Sequence, residues 1–121
     1  MFEIKIGTIL MGAHALDPDM LPSLELFGFE GYEISLDRRT LCTCDIAEYA
    51  KRLKDALCGT PVSALGCYAN PLADEEDLRN LTTLMDSAHL FGCDTISVFA
   101  GALPDHTVAE SMPTFKKVFS E

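Results

Sequence analysis

Short apolar runs alternate with longer amphipathic segments along the chain. Gly28, Gly59 and Gly92 each follow an amphipathic segment and precede an apolar run, at intervals of 31 and 33 positions. A glycine in this place is the usual left-handed cap between a helix and a following strand. A period of this length is typical of a strand followed by a helix that crosses back to the next parallel strand. The pattern therefore predicts a repeated strand-helix unit.

The apolar runs are predicted to be four parallel strands. Three of them are apolar without strict alternation, as in strands of a parallel sheet that is covered on both faces. The second run alternates, with Tyr32 and Ile34 on one side and Glu33 and Ser35 on the other. A carboxylate within such a strand is unusual and is a first candidate for function. The predicted strands are residues 4–10, 31–36, 62–67 and 95–100.

Four helices are predicted between and after these strands. Aspartates stand at the expected N-caps of the first three, and Pro113 is expected to bend or restart the fourth. In the third helix, apolar residues recur in steps of 3, 4 and 3, which predicts the face that packs on the sheet. The helices are predicted to begin at residues 17, 45, 74 and 107, and the packing face of the third comprises Leu78, Leu81, Met85 and Ala88.

The resulting order is strand-helix four times over, in a single α/β domain that spans residues 1–121. A helix between successive strands makes the strands parallel, and such crossovers are right-handed. Two architectures remain, an open doubly wound sheet or part of a (β/α)8 barrel. The turn after the first strand, residues 11–16, has one glycine and none of the glycine-rich patterns that bind nucleotide phosphates. That turn weakens the case for an open dinucleotide-binding sheet.

Composition narrows the range of partners. Nine basic and nineteen acidic residues give a net charge of −10, which argues against nucleic acid and against an anionic membrane surface. No apolar stretch is long enough to span a bilayer, and no secretory signal is seen at the N-terminus. Five cysteines without a Cys-x-x-Cys spacing suggest free thiols in the cytoplasm. Cys42 and Cys44 could be half of a zinc site, but two small loop residues are the simpler interpretation.

Three segments of the chain resemble the xylose-isomerase-like TIM barrel superfamily. Residues 28–34, GFEGYEI, resemble the "GFDGVEL" second strand of that superfamily. Residues 62–72 are similar to its third strand and the following loop in sugar-phosphate isomerase/epimerase-like proteins, and residues 88–96 to the approach to its fourth strand. The order and spacing of the three segments extend the resemblance over essentially the whole chain.

The resemblance implies the N-terminal half of a barrel of about 250 residues. It implies a parent enzyme that moves a proton next to the carbonyl of a sugar or sugar phosphate, with Mn²⁺, Mg²⁺ or Co²⁺ as cofactor. The family places its metal ligands near the ends of strands five to eight. No metal ligand is therefore carried over to this chain, which is expected to be truncated and inactive alone.

Geometry of such barrels places candidate substrate-binding residues after the strands. Each candidate also has a structural interpretation: Glu33 could pair with Lys5 or a backbone amide, the aromatic residues could belong to the core, and the asparagine could be a turn residue. Arg38 and Arg39 could hold a phosphate, but a solvated charge pair is the stronger interpretation. The candidate substrate-binding residues are His14, Glu33, Tyr68, Asn70 and Phe99.

Two other functions remain open at this stage. Apurinic endonuclease activity is disfavoured, because the family's metal-binding histidines are replaced by Cys67-Tyr68 and by residues 99–101. A non-catalytic half-barrel used for binding or assembly is the other alternative. In either case, four parallel strands with free apolar edges predict a homodimer in which two half-barrels cover each other.

Overall fold

The computed structural model describes residues 4–11, 17, 20 and 27–120. Within these residues, four parallel strands form one sheet in the order β1-β2-β3-β4 and alternate with helices, which makes the domain α/β. The strands are β1 (Gly7–Met11), β2 (Gly31–Ser35), β3 (Val62–Cys67) and β4 (Ile96–Val98). The helices are α1 (Arg38–Thr43), α2 (Ile46–Leu57), α3 (Glu75–Phe91) and α4 (Val108–Phe119).

All four predicted strands are present, and β3 has the predicted bounds. Strand β1 begins three residues later than predicted, because the N–H of Ile6 bonds the Glu30 carboxylate at 3.0 Å instead of entering the ladder. Strand β4 ends at Val98, before Gly101 turns the chain with a φ of 78°. The predicted first helix, residues 17–27, lies largely outside the described residues.

The predicted caps of the later helices are confirmed. Asp45 accepts hydrogen bonds from the first turn of α2, Asp74 does so for α3, and Thr107 forms a capping box with Glu110 at α4. Gly92 ends α3 in the left-handed conformation, as predicted. At the end of α2 the prediction is wrong by one residue, since Cys58 takes the left-handed C-cap position.

Two features of the helices differ from the prediction. Helix α1 was not expected; Asp37 caps it by accepting the Thr40 N–H at 2.8 Å. Helix α4 continues through Pro113, which removes one backbone hydrogen bond but does not end the helix. The capping box fixes its first turn, and Phe115 and Phe119 stack in its last turns with centroids 4.7 Å apart.

A bulge in β3 determines which side chains share a face of the sheet. Tyr32 is opposite Val62 and Glu33 is opposite Ala64, so Ser63 is the extra residue. Its hydroxyl donates to the Tyr32 carbonyl at 3.1 Å. From the bulge onward, the residues of β3 alternate in step with β2. We call the two faces the covered face (Leu10, Tyr32, Ile34, Val62, Leu65, Cys67, Ile96 and Val98) and the open face (Ile9, Met11, Glu33, Ser35, Ala64, Gly66 and Ser97).

The hydrophobic core lies between the covered face and the helices. Ile34 and Leu65 of the sheet are fully buried there, as are Leu53 of α2 and Leu84 of α3. Helix α3 is turned relative to the prediction: its buried apolar residues are Leu81, Leu84, Ala88 and Phe91, and Met85 is 57% exposed.

The lengths and apolar character of the described helices bear on whether any of them could cross a membrane. The longest of them, α3, has 17 residues and carries charged side chains in its first turn. None of the helices within residues 4–11, 17, 20 and 27–120 has the length and apolar character needed to cross a membrane.

Candidate functional site

A polar cluster lies on the open face where β2, β3 and β4 end. Glu33 comes from the middle of β2, and Ser97 comes from β4, where it pairs with Gly66 of β3. Tyr68 follows β3 directly. Because the carboxyl ends of parallel strands share one edge, the loops that follow them meet around this cluster. This edge is where α/β folds bind their ligands.

The Glu33 carboxylate is the centre of the cluster. Tyr68 donates its phenolic hydrogen to Oε1 of Glu33, and the Ser97 hydroxyl donates to Oε2 at 3.4 Å. Both partners are hydroxyls, so among the described residues the carboxylate has two donors and no ion pair. The hydrogen bond to Glu33, followed by burial and by the charge of that carboxylate, raises the pKa of Tyr68. The hydrogen bond to Glu33 therefore favours the neutral form of the Tyr68 phenol.

Gly66 provides the space that this cluster occupies. A Cβ at this position would lie 2.8 Å from Oε1 of Glu33 and 3.1 Å from the Tyr68 ring. Any side chain here would displace one of the two groups. A glycine inside a strand often marks such a close approach.

Two aromatic rings form a wall beside the carboxylate. The ring centroids of Tyr68 and Phe99 are 5.1 Å apart with a 48° angle between the planes. Tyr68 is 37% exposed and Phe99 is 58% exposed, so both present apolar surface to solvent. The site thus combines one hydrogen-bonding carboxylate with an aromatic surface, the combination found in small-molecule sites.

Asn70 connects the loop after β3 with the loop after β4. Its side-chain amide donates to the Ala102 carbonyl at 2.8 Å and accepts from the Ala102 N–H at 3.1 Å. Its own backbone N–H donates to Asp77 at 3.1 Å. The close approach depends on Gly101, where a Cβ would collide with Oδ1 of Asn70. Asn70 thereby holds together the two loops that carry the aromatic wall.

Arg38 lies among carboxylates on the other side of Tyr68. Its guanidinium lies 2.7 Å from Asp74, 3.2 Å from Asp77 and 3.5 Å from Glu76. These contacts are ion pairs rather than well-aligned hydrogen bonds. The guanidinium is the largest cause of a lowered Asp74 pKa, and Asp74 in turn is the largest cause of a raised Arg38 pKa. Neighbouring Arg39 is exposed to solvent.

A cavity of about 270 Å³ separates Arg38 from Tyr68. Besides these two residues, it is bordered by polar groups of α3 and by Asp37 of the α1 cap. The Thr40 hydrogen bonds to Asp37 lower the pKa of that carboxyl, so it is ionised at neutral pH. The lining residues are Asp37, Arg38, Cys67, Tyr68, Ala69, Asp77 and Asn80.

The described residues do not fit the divalent metal that the family resemblance implies. Within residues 4–11, 17, 20 and 27–120, no three His, Cys, Asp or Glu side chains are grouped so that they could hold a metal ion. Glu33 has hydroxyls beside it rather than further carboxylates. Cys42 is exposed near the end of α1, and Cys44 is the C-cap of that helix. We therefore derive no chemical step through a metal.

The structure brings four of the five candidate residues to one edge of the sheet. Tyr68 contacts both Glu33, through a hydrogen bond, and Phe99, through its ring. Asn70 joins the loops after β3 and β4. His14 lies outside the described residues. Sequence reasoning missed Ser97 and Gly66. The signal available for Ser97 was a polar residue between the apolar Ile96 and Val98. The signal for Gly66 was a glycine inside a strand.

Comparisons with known proteins give no relative for this chain. The chain matches no family model, no curated protein and no solved structure.

Proposed function

We propose that this protein binds a small polyhydroxylated molecule of the sugar type at the open face, as the substrate-binding half of a sugar isomerase or epimerase. The observation that carries the proposal is the Glu33 carboxylate, which accepts hydrogen bonds from two hydroxyls at the ligand-binding edge of the sheet. A carboxylate that already accepts from hydroxyl groups has the chemistry to accept from those of a sugar. The resemblance of residues 28–34 to the second strand of sugar isomerases supports the same assignment.

The aromatic wall of Tyr68 and Phe99 favours a cyclic sugar over an open-chain polyol as the ligand. A sugar ring carries hydroxyls along its edge and C–H groups across its face. Tyr68 and Phe99 offer an exposed apolar surface beside Glu33, so that one ligand could contact the carboxylate with its edge and the rings with its face. Asn70 serves this site indirectly, because both polar atoms of its amide already bond Ala102.

Binding of unmodified sugars by the purified chain tests the proposal. We expect D-fructose, D-psicose or myo-inositol to shift the NMR signals of Ser97 and Phe99 in a saturable titration. Glu33→Gln keeps the shape of the side chain and removes its charge, and should weaken binding by roughly tenfold, since hydrogen bonds to a charged group are the stronger ones. Glu48→Gln makes the same change at an exposed position of α2 and should leave binding unchanged. No saturable shift with any sugar in the panel would contradict the proposal.

Catalysis is tested separately from binding. We propose that the chain alone binds sugars without interconverting them, because the resemblance assigns the metal ligands to strands five to eight. Incubation with ketoses and Mn²⁺, Mg²⁺ or Co²⁺, followed by chromatography of the sugars, measures this. Epimer formation that Glu33→Gln abolishes would place the chemistry on the described residues and contradict this part of the proposal.

We further propose that the sheet is half of a (β/α)8 barrel and that a second copy of the chain completes it. The order β1-β2-β3-β4 leaves one edge of β1 and one edge of β4 without a partner among the described residues. A two-fold axis along the barrel would pair each β1 with the β4 of the other copy, which satisfies both edges in one closed assembly. The compartment is proposed to be the cytoplasm, since all five cysteines are free.

The exposed area of the open face fits this dimer. Ile9 and Met11 of the open face are 38% and 52% exposed. Together they expose on the order of 200 Å², about a quarter of what one partner contributes to a standard interface; Tyr68 and Phe99 are not counted, because they form the wall that contacts the sugar. The paired strand edges would contribute further area. The second copy would also close the mouth of the barrel opposite Glu33.

Sedimentation equilibrium across micromolar concentrations tests the dimer. We expect twice the 13.2 kDa mass of the chain. Met11→Lys places a charge on the open face and should produce monomers. Val108→Lys, at a position of α4 that is 77% exposed, is the matched control and should leave the dimer intact. A monomer of the unaltered chain at all concentrations would contradict the dimer.

A further inference from the structure

The charges around the site discriminate between sugars and their phosphate esters. Glu33 is the hydrogen-bonding centre of the proposed site, and the nearby cavity is bordered by Asp37 and Asp77. The chain as a whole carries a net charge of −10. A phosphate ester bears about −1.5 to −2 charges at neutral pH, so it must find a cation or a set of free N–H groups to bind here.

Among the described residues that border the cavity, the one cationic side chain, Arg38, is already neutralised. Arg38 borders the cavity, but its guanidinium lies within 3.5 Å of three carboxylates, those of Asp74, Glu76 and Asp77. A phosphate would have to displace these carboxylates to reach it. Arg38 is thus a group that fixes the start of α3 rather than an anion receptor.

The helix N-termini at this edge are also partly occupied. Phosphates commonly bind the free N–H groups at the start of a helix that follows a strand. In the three strand-to-helix connections that the structure describes, the N-cap side chain already accepts from one or two of those groups. Asp37 accepts from Thr40, Asp74 accepts from Glu76 and Asp77, and Thr107 accepts from Glu110. Two of the three caps are carboxylates, which repel an incoming anion.

We infer that the site takes an uncharged polyol and rejects the phosphate ester of the same polyol. The inference rests on the proposed function, since it concerns the same site around Glu33. It separates the sugar isomerase class from the sugar-phosphate isomerase class on electrostatic grounds. Discrimination of this kind arises from built-in repulsion as much as from attraction.

A matched pair of ligands tests the inference. D-fructose and D-fructose 6-phosphate, and myo-inositol and its 1-phosphate, are titrated by NMR at 20 mM and 500 mM salt. We expect the uncharged member to bind at least about tenfold more tightly at low salt, and the ratio to fall at high salt as the charges are screened. Equal or tighter binding of the esters overturns the inference alone. Binding of neither member overturns the proposed function and the inference together.

A variant that frees Arg38 sharpens the test. Asp74→Asn retains a good N-cap residue for α3 but removes the carboxylate nearest to the guanidinium. We expect it to improve binding of the phosphate esters by about threefold or more, with little effect on the uncharged sugars. Asp86→Asn makes the same change in net charge three turns further along α3 and should leave the ratio unchanged. An equal effect of both variants, or no effect of Asp74→Asn on ester binding, would overturn the assignment of this rejection to the neutralised Arg38.

Discussion

The two faces of the sheet are built from the same strands but differ in the size and polarity of their side chains. On the covered face, alternate residues are large and apolar, and Ile34 and Leu65 are fully buried against the helices. On the open face, the residues between them include Glu33, Gly66 and Ser97, which form a polar cluster with Tyr68. The covered face provides the buried apolar surface that stabilises the fold, and the open face carries the polar cluster of the candidate site.

This division follows from the alternation of side chains along a strand. In each strand, one alternate set of side chains points into the core, so the other set points away from it and need not be apolar. The bulge at Ser63 preserves the division in β3, since it keeps Leu65 on the covered face and Gly66 on the open one. Substitutions on the two faces should therefore affect different measurements.

Removing a buried side chain from the covered face should have the largest effect. Leu65→Ala deletes a fully buried side chain and should lower the free energy of unfolding by about 2–5 kcal/mol. Ile9→Ala, on the open face, deletes a side chain that is 38% exposed in the single chain and should cost roughly 1 kcal/mol in the Met11→Lys background, where the proposed dimer adds no burial. Urea denaturation followed by circular dichroism measures both. Equal losses would mean that the two faces are equally buried in solution.

Added methyl groups at two glycines should separate folding from binding. A Cβ at Gly7 would lie 2.7 Å from the Gly31 carbonyl oxygen, which is backbone and cannot yield without moving β1 from β2. A Cβ at Gly66 would meet the ends of the Glu33 and Tyr68 side chains, which can turn away. Gly7→Ala should therefore cost about 1–3 kcal/mol of stability.

For Gly66→Ala we expect a smaller loss of stability and a loss of sugar binding of roughly tenfold or more, because Glu33 and Tyr68 cannot keep their present places. Thermal unfolding and the sugar titration are carried out on both variants. A Gly66→Ala protein that binds as well as the unaltered chain would show that the cluster is not the binding site.

The fold was predictable from the sequence because its signals are local. Apolar runs, capping aspartates and the glycine at position 92 each act over a few residues, and the later elements follow them closely. The packing face of α3 was less predictable. The stripe through Met85 and the stripe through Leu84 both fit the helical period. The second is the buried one because Leu84 and Phe91 pack into the core, where the Phe91 and Tyr49 ring centroids are 6.0 Å apart.

The site was predictable only in part because its contacts are long-range. Glu33 stood out as a carboxylate in a strand otherwise suited to burial. Its partners Tyr68 and Ser97 are 35 and 64 positions away, and the parallel ladder alone brings them together. The ion pairs of Arg38 depend in the same way on where α3 begins in space, so its carboxylate partners could not be predicted from the sequence.

Separating the two loops should have an intermediate effect. Asn70→Ala removes two hydrogen bonds to Ala102 and should lower the free energy of unfolding by about 1–2 kcal/mol. The freed loops should also lose the Tyr68–Phe99 ring contact, which weakens sugar binding several-fold. Thr82→Ala, at an exposed position of α3, removes a side-chain hydrogen bond to the Leu78 carbonyl away from the site and is the control. Weakened binding only in the Asn70 variant would support the role of this clamp, and unchanged binding in it would contradict that role.

The smallest effect concerns two tyrosines, one in the covered core and one on the open side. Burial raises the pKa of Tyr49, which packs in the core, and the bond to Glu33 raises the pKa of Tyr68. In both cases the folded state favours the neutral phenol, so their contribution to stability is complete below the ordinary pKa of 10.0 and is lost as the pH rises through the folded value.

Glu33→Gln should move only one of these two pKa values. It removes the charge beside Tyr68, whose pKa should fall toward 10.0, while the pKa of Tyr49 stays raised because its burial is unchanged. The chain has three tyrosines and no tryptophan, so NMR of ¹³C-labelled tyrosine rings follows each titration, and Tyr68→Phe assigns the signal. An unchanged pKa of Tyr68 in Glu33→Gln would mean that the carboxylate and the phenol are not paired in solution, and the open face would then lack the centre of its proposed site.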